Sequence, residues 1–82
     1  MYPCPCCGYL TMPEEPPGTF SICPVCGWED DNVQFADVNY GGGANVESLA
    51  TARENFQRFG AASSQKRAGV RKPNPEELPS GM

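Results

Sequence analysis

The chain carries one pentapeptide pattern twice. Cys4-Pro5-Cys6-Cys7-Gly8 and Cys23-Pro24-Val25-Cys26-Gly27 both read C-P-x-C-G, and an aromatic follows each, Tyr9 and Trp28. Fifteen residues lie between Cys7 and Cys23. A C-x2-C, a gap of this size and a second C-x2-C is the spacing of a four-thiolate metal site. Two cysteines three apart share one ion only where the chain between them turns back tightly. Proline fixes φ at the start of such a turn. Glycine after the second cysteine admits a left-handed backbone, so that nearby N–H groups can point at sulfur. Aligning the copies pairs Cys4 with Cys23, Cys7 with Cys26 and Cys6 with Val25. The candidate ligands are therefore Cys4, Cys7, Cys23 and Cys26, and Cys6 sits where its twin is a small hydrophobe. A spare cysteine at such a place packs as an apolar residue, and no cation in sequence reach lowers its pKa. The competing readings, disulfides or unrelated buried cysteines, leave the repeated turn chemistry unexplained.

A metal is also what a chain of this size needs. At 82 residues it is one domain at most, with nine Pro, nine Gly and 39% hydrophobic residues. Small domains with thin cores require a staple. Structural zinc supplies about 10–16 kcal/mol in finger peptides, comparable to the entire stability of a small domain. Four closed thiolates leave no open coordination position, and His is absent. Zinc-assisted hydrolysis, two-Cys two-His fingers and Ser–His or Cys–His pairs are thus disfavoured, and no enzyme is expected. Tetrahedral four-sulfur sites suit zinc and iron alike. Zinc is the expected ion because residues 28–60, following the second knuckle, exceed what an electron carrier needs; iron is the alternative.

Charge divides the chain. Residues 1–52 hold Glu14, Glu15, Glu29, Asp30, Asp31, Asp37 and Glu47 with no Lys or Arg. Residues 53–82 hold Arg53, Arg58, Lys66, Arg67, Arg71 and Lys72 against Glu54, Glu76 and Glu77. The halves carry −7 and +3, for a net −4. An acidic knuckle half is a poor surface for nucleic acid. No apolar run is long enough to span a membrane, and no signal-peptide pattern opens the chain. An odd number of cysteines suits a reducing compartment, so a cytoplasmic monomer is expected.

Residues 9–11 and 19–22 read as short strands around the turn-rich Met12–Gly18 loop, forming a hairpin with a knuckle at each end. Residues 28–47 have isolated apolar positions and read as an irregular loop packed by its aromatics, with Trp28 over the metal site. The Glu29-Asp30-Asp31 stretch with Asp37 reads as a solvated acidic face; a hard-cation site or a docking patch for a basic partner are its functional alternatives. Gly41-Gly42-Gly43-Ala44-Asn45 lacks the Lys and Ser/Thr of a phosphate loop and reads as a flexible turn. One helix is expected over about 49–59. Ser48 is its N-cap, Leu49, Ala52, Phe56 and Phe59 are its apolar stripe, and Gly60 its stop. From Ala61 the chain is small, polar, basic and then Pro-rich, and 61–82 is expected to be a mobile tail.

The run Tyr2-Pro3-Cys4-Pro5-Cys6-Cys7-Gly8-Tyr9-Leu10-Thr11 resembles the opening of the bacterial cysteine-rich CPCC domain family. The resemblance continues through Pro17-Gly18-Thr19-Phe20, Ile22-Cys23-Pro24-Val25-Cys26, Trp28-Glu29-Asp30-Asp31, Val33-Gln34-Phe35, Gly42-Gly43-Ala44-Asn45, Ser48-Leu49 and Asn55-Phe56 to Phe59-Gly60. It spans residues 2–60 and implies a zinc-binding domain, without supplying a biochemical role. Residues 4–27 alone also resemble zinc ribbons and rubredoxin-like iron domains. The expectation is a small metal-dominated α+β domain over 2–60: a zinc-ribbon or rubredoxin-like knuckle module, a short β-hairpin, an irregular aromatic loop and one C-terminal helix. Its expected role is protein interaction through a structural zinc module. A rubredoxin-like electron carrier and a nucleic-acid zinc ribbon are the alternatives.

Overall fold

The computed structural model describes residues 1–79. Its regular elements are few, as the Pro and Gly content requires. Strand β1 (Tyr2–Pro3) pairs antiparallel with β2 (Leu10–Met12). The register places Tyr2 opposite Met12 and Pro3 opposite Leu10, with an irregularity between the pairs. The two strands are the stem of the first knuckle, since Cys4–Tyr9 is the turn that joins them.

This corrects the expected hairpin. Residues 19–22 do not pair with 9–11. They fold back on the residues after the second knuckle: Phe20 N–H donates to the Asp30 carbonyl, Asp30 N–H to Ser21 and Cys23 N–H to Trp28, at 2.9–3.0 Å. The only bridge formed there joins Ile22 and Glu29. Each knuckle thus closes its own stem. A tight turn brings its immediate flanks together, and that contact is nearer in sequence than any contact across the proline loop.

Helix α1 (Asn32–Ala36) lies in the stretch expected to be an irregular loop. Asp31 is its N-cap and accepts from Val33 and Gln34 N–H. Helix α2 (Leu49–Phe59) has the expected bounds, with the Ser48 hydroxyl accepting from Thr51 N–H and Gly60 in the left-handed conformation at φ 80°. Leu49 and Ala52 are fully buried, and Phe56 packs edge-on to Tyr9 with ring centroids 6.1 Å apart.

The tail expectation also fails over its described part. Ala61, Ala62 and Ser63 are buried. A 3₁₀ helix, Ser64–Gly69, and a second, Pro75–Glu77, follow. Ala62 N–H donates to Cys26 and Arg71 N–H to Pro24, so this segment roofs the second knuckle. Residues 80–82 of the expected tail lie outside the described residues.

The core is Cys4, Cys6, Met12, Cys23, Val25, Cys26, Trp28, Leu49, Ala52 and Ala62. Four of these ten are cysteines, so the interior is centred on the sulfur cluster rather than on aliphatic side chains.

Candidate metal centre

The two knuckles share the same pair of backbone bonds. In the first, Gly8 N–H donates to Cys4 O and Cys4 N–H to Tyr9 O, each at 2.9 Å. In the second, Gly27 N–H donates to Cys23 O at 2.8 Å and Cys23 N–H to Trp28 O at 2.9 Å. Gly8 and Gly27 take φ of 82° and 84°, the left-handed region a side chain resists. At Gly27 a Cβ would also meet the Lys66 side chain at 2.8 Å.

The knuckles face each other. The sulfurs of Cys4, Cys7, Cys23 and Cys26 all lie within 4.8 Å of one another. Cys4 and Cys26 approach to 3.6 Å and Cys7 and Cys23 to 3.7 Å. A tetrahedron with metal–sulfur bonds of about 2.3 Å has edges of about 3.8 Å. These contacts are far longer than a disulfide of about 2.0 Å, and all five cysteines are free. The donor set therefore fits a tetrahedral thiophilic ion.

Four thiols this close cannot all ionise without a cation. Hydrogen bonding to Cys26, then to Cys4 and Cys7, pulls the Cys23 thiol far below its ordinary value. The same contacts, led by Cys23, push Cys7 and Cys26 far up. A divalent ion removes this conflict by stabilising every thiolate at once. Donors also surround the sulfurs. Cys6 N–H points at Cys4 Sγ and Trp28 N–H at Cys26 Sγ, both at 3.4 Å. Thr11 Oγ1 lies 3.0 Å from Cys23 Sγ.

The family model described as Cysteine-rich CPCC matches residues 2–77. The chain belongs to the cysteine-rich CPCC family. The match runs past Gly60 and includes Ala62, Lys66 and Arg71, which bond the second knuckle. A comparison with curated proteins found no match.

Cys6 lies within the same core beside this cluster, 9% exposed, at the position Val25 fills in the other knuckle. Trp28 is fully buried against the cysteines. Within the acidic stretch Asp30 and Asp31 are buried rather than solvated, whereas Asp37 is exposed and Glu29 half-buried. Asp30 is fully buried, and its Oδ2 accepts from Thr19 N–H and Oγ1. Asp31 Oδ1 caps α1 while its Oδ2 accepts from Ala44 N–H at 2.9 Å. That Ala44 bond foremost, with those from Gln34 and Val33, holds the Asp31 carboxyl below the usual carboxylate range. One N–H of this turn, that of Ala44, does hold an anion, and the anion is this chain's own Asp31.

Two residues that brace the fold around the centre, Gln34 and Lys66, escaped the sequence reading, whereas a guanidinium from α2, Arg53 or Arg58, was expected at the acidic stretch or the rim of the site. Buried Gln34 donates through Nε2 to the carbonyls of Tyr40, Asn45 and Glu47 and accepts from Asn45 through Oε1. Its one sequence signal was the Asp31-x-x-Gln34 spacing of a capped helix start. Arg53 Nε donates to Pro5 O at 2.9 Å, the contact with the knuckle rim that charge compensation calls for. Lys66, from the expected tail, donates through Nζ to Gly27 O. Each knuckle therefore receives one cation from the basic half, although neither cation is near it in sequence.

Proposed function

We propose that this protein is a small zinc-binding module whose four-cysteine centre is structural and whose work is docking onto another protein. Cys4, Cys7, Cys23 and Cys26 would hold the ion, in a pair of zinc-ribbon-like knuckles. The observation that carries the reading is the set of four sulfurs within 4.8 Å of one another, from three buried cysteines and the partly exposed Cys7. Four thiolates complete the coordination of zinc and leave no position for a substrate or water. The docking half of the reading rests on surface chemistry. Tyr2, Phe20, Ile22, Val33, Phe35, Tyr40 and Val46 are exposed large hydrophobics, and they share residues 1–52 with the exposed or half-buried carboxylates Glu14, Glu15, Glu29, Asp37 and Glu47 and with no cation. A partner with basic and apolar groups fits such a surface, whereas nucleic acid does not. Five free thiols favour a reducing compartment, consistent with the cytoplasm.

Metal analysis of protein purified from its own host tests the first half. One zinc per chain and a colourless solution are expected. A red protein that bleaches on reduction would replace zinc with iron and make the centre an electron carrier. Affinity capture tests the second half. Phe35→Glu should release the captured partner while the exposed control Gln57→Glu retains it; equal capture by both would reject docking through this surface.

A further inference from the structure

The four sulfurs of the cluster are not equivalent. Cys4 Sγ takes the Cys6 N–H, Cys26 Sγ the Trp28 N–H and Cys23 Sγ the Thr11 hydroxyl. Cys7 Sγ has no N–H or hydroxyl donor among the described residues; its neighbours are the other cluster sulfurs, Cys23 Sγ at 3.7 Å among them. Its twin in the second knuckle is Cys26. The N–H of Trp28 covers Cys26, but the N–H of Tyr9 makes no corresponding bond to Cys7. Burial follows the same division. Cys4, Cys23 and Cys26 are 2%, 0% and 0% exposed, whereas Cys7 is partly exposed. The cause lies in the second half of the chain. Residues 61–71 cross the second knuckle through Ala62, Lys66 and Arg71. The first knuckle is met from that half by the Arg53 bond to Pro5, on the side of Cys4, and by Phe56 against Tyr9. Neither covers the Cys7 sulfur with a donor.

A hydrogen bond to a metal-bound thiolate draws off electron density and blocks a lone pair. A thiolate with no such bond and with solvent access keeps its nucleophilicity. We propose that Cys7 is the modification site of this centre, and that it takes soft carbon electrophiles of the α,β-unsaturated carbonyl class. The inference rests on the four-cysteine metal reading above. In the reaction the sulfur lone pair forms an S–C bond to the β-carbon. The alkene π pair moves to the α-carbon, which takes a proton from water, so no oxidant or reductant is required. The resulting thioether has lost the thiolate charge. The centre then keeps three anionic sulfurs, and its hold on the ion weakens.

The test uses the full chain with N-ethylmaleimide as probe. Bound metal is quantified first. Limiting probe is then added, peptide mapping by mass spectrometry ranks the labelling of the four cluster cysteines, and a metal-sensitive dye follows release. Cys7 should be labelled first, roughly tenfold ahead of Cys4, Cys23 and Cys26, with metal released as the Cys7 adduct forms. In Thr11→Val, which strips the hydroxyl from Cys23, labelling at Cys23 should rise; a purely structural difference between the sites would not respond this way. A metal-loaded chain labelled first at Cys4, Cys23 or Cys26, or at all four together, overturns the proposal alone. A chain with no bound metal before labelling overturns the reading beneath it as well.

Discussion

Cys6 and Val25 are the residues that decide between four ligands and five. They occupy twin positions in two turns whose backbone bonds agree to within 0.1 Å, and both are buried. Cys6→Ser should therefore keep one metal ion per chain. Serine in place of Cys4, Cys7, Cys23 or Cys26 should lose it or bind it far more weakly, since a hydroxyl is a poor ligand for a thiophilic ion. Metal stoichiometry by mass spectrometry separates the outcomes, and full loading of Cys23→Ser with loss in Cys6→Ser would reject the assignment. Gly43 is a second decisive residue, for reasons of space. A Cβ there would lie 2.7 Å from Asp31 Oδ2 and 2.9 Å from Gln34 Cδ. Neither side chain can retreat: Asp31 Oδ2 holds Ala44 N–H, and Gln34 is bonded through both ends. Gly43→Ala should cost about 1–3 kcal/mol, the range for forcing a methyl into a filled site. Denaturant unfolding of the metal-loaded protein reads this directly, and an unchanged midpoint would show that the loop yields.

At the scale of elements, legibility tracked the range of the forces involved. Helix α2 was readable because its stripe, its Ser48 cap and its Gly60 stop are all local. The knuckles were readable because Pro and Gly act within five residues. Helix α1 was not, because five residues carry too little periodicity, and its stability comes from Gln34 reaching the carbonyls of Tyr40, Asn45 and Glu47. The pairing of 19–22 was misread because β-branched content marks a strand without naming its partner. The segment after Gly60 was misread for a similar reason: its composition is that of a tail, and its anchors are single hydrogen bonds from Ala62 N–H, Lys66 Nζ and Arg71 N–H, braced by one ion pair inside the segment. Arg71 grips Glu77 through both oxygens at 2.8 and 2.9 Å, and Asn74 N–H adds a third bond. The Arg71 guanidinium, then the Asn74 N–H, hold the Glu77 carboxyl down to about 2. A depressed folded-state value means the contact contributes fully above the usual carboxyl value near 4.5 and is lost as pH falls through about 2. The protection factor of the Arg71 amide, its exchange rate relative to that of a free chain at the same pH, should therefore be unchanged between pH 7 and pH 5. Glu77→Gln should lower that factor already at pH 7. Equal protection of Arg71 in both proteins at pH 7 would mean that the bond to Pro24 alone docks the segment.

For the molecule as a whole, the cluster stands where a hydrophobic core would stand. The fully buried apolar side chains beyond alanine and cysteine are Met12, Val25, Trp28 and Leu49. Around them the fold also carries costs: Trp28 Nε1 and Asp30 Oδ1 are buried with no hydrogen-bond partner among the described residues, at about 1–3 kcal/mol each. So small an apolar interior cannot offset the ordering of the chain by itself. A divalent ion on the four thiolates would add stabilisation of the size a small domain needs, about 10–16 kcal/mol for structural zinc in finger peptides. The charge division serves the same end. Arg53 bonds Pro5 and Lys66 bonds Gly27, closing the basic half over the −7 half, which four thiolates around a divalent ion would make more negative still. Metal binding and docking of residues 49–79 should then be one event. On addition of a strong chelator, chemical-shift dispersion should collapse across residues 2–35 and, at the same metal occupancy, across the 61–79 segment. Helix α2 should retain at most partial helicity, because eleven residues without tertiary contacts are marginal in water. Restoring one equivalent of zinc should return both regions together. If 61–79 kept its dispersion after metal was shown to be gone, or regained it at a different occupancy from the knuckles, the segment would have to be a second folding unit held by its own contacts.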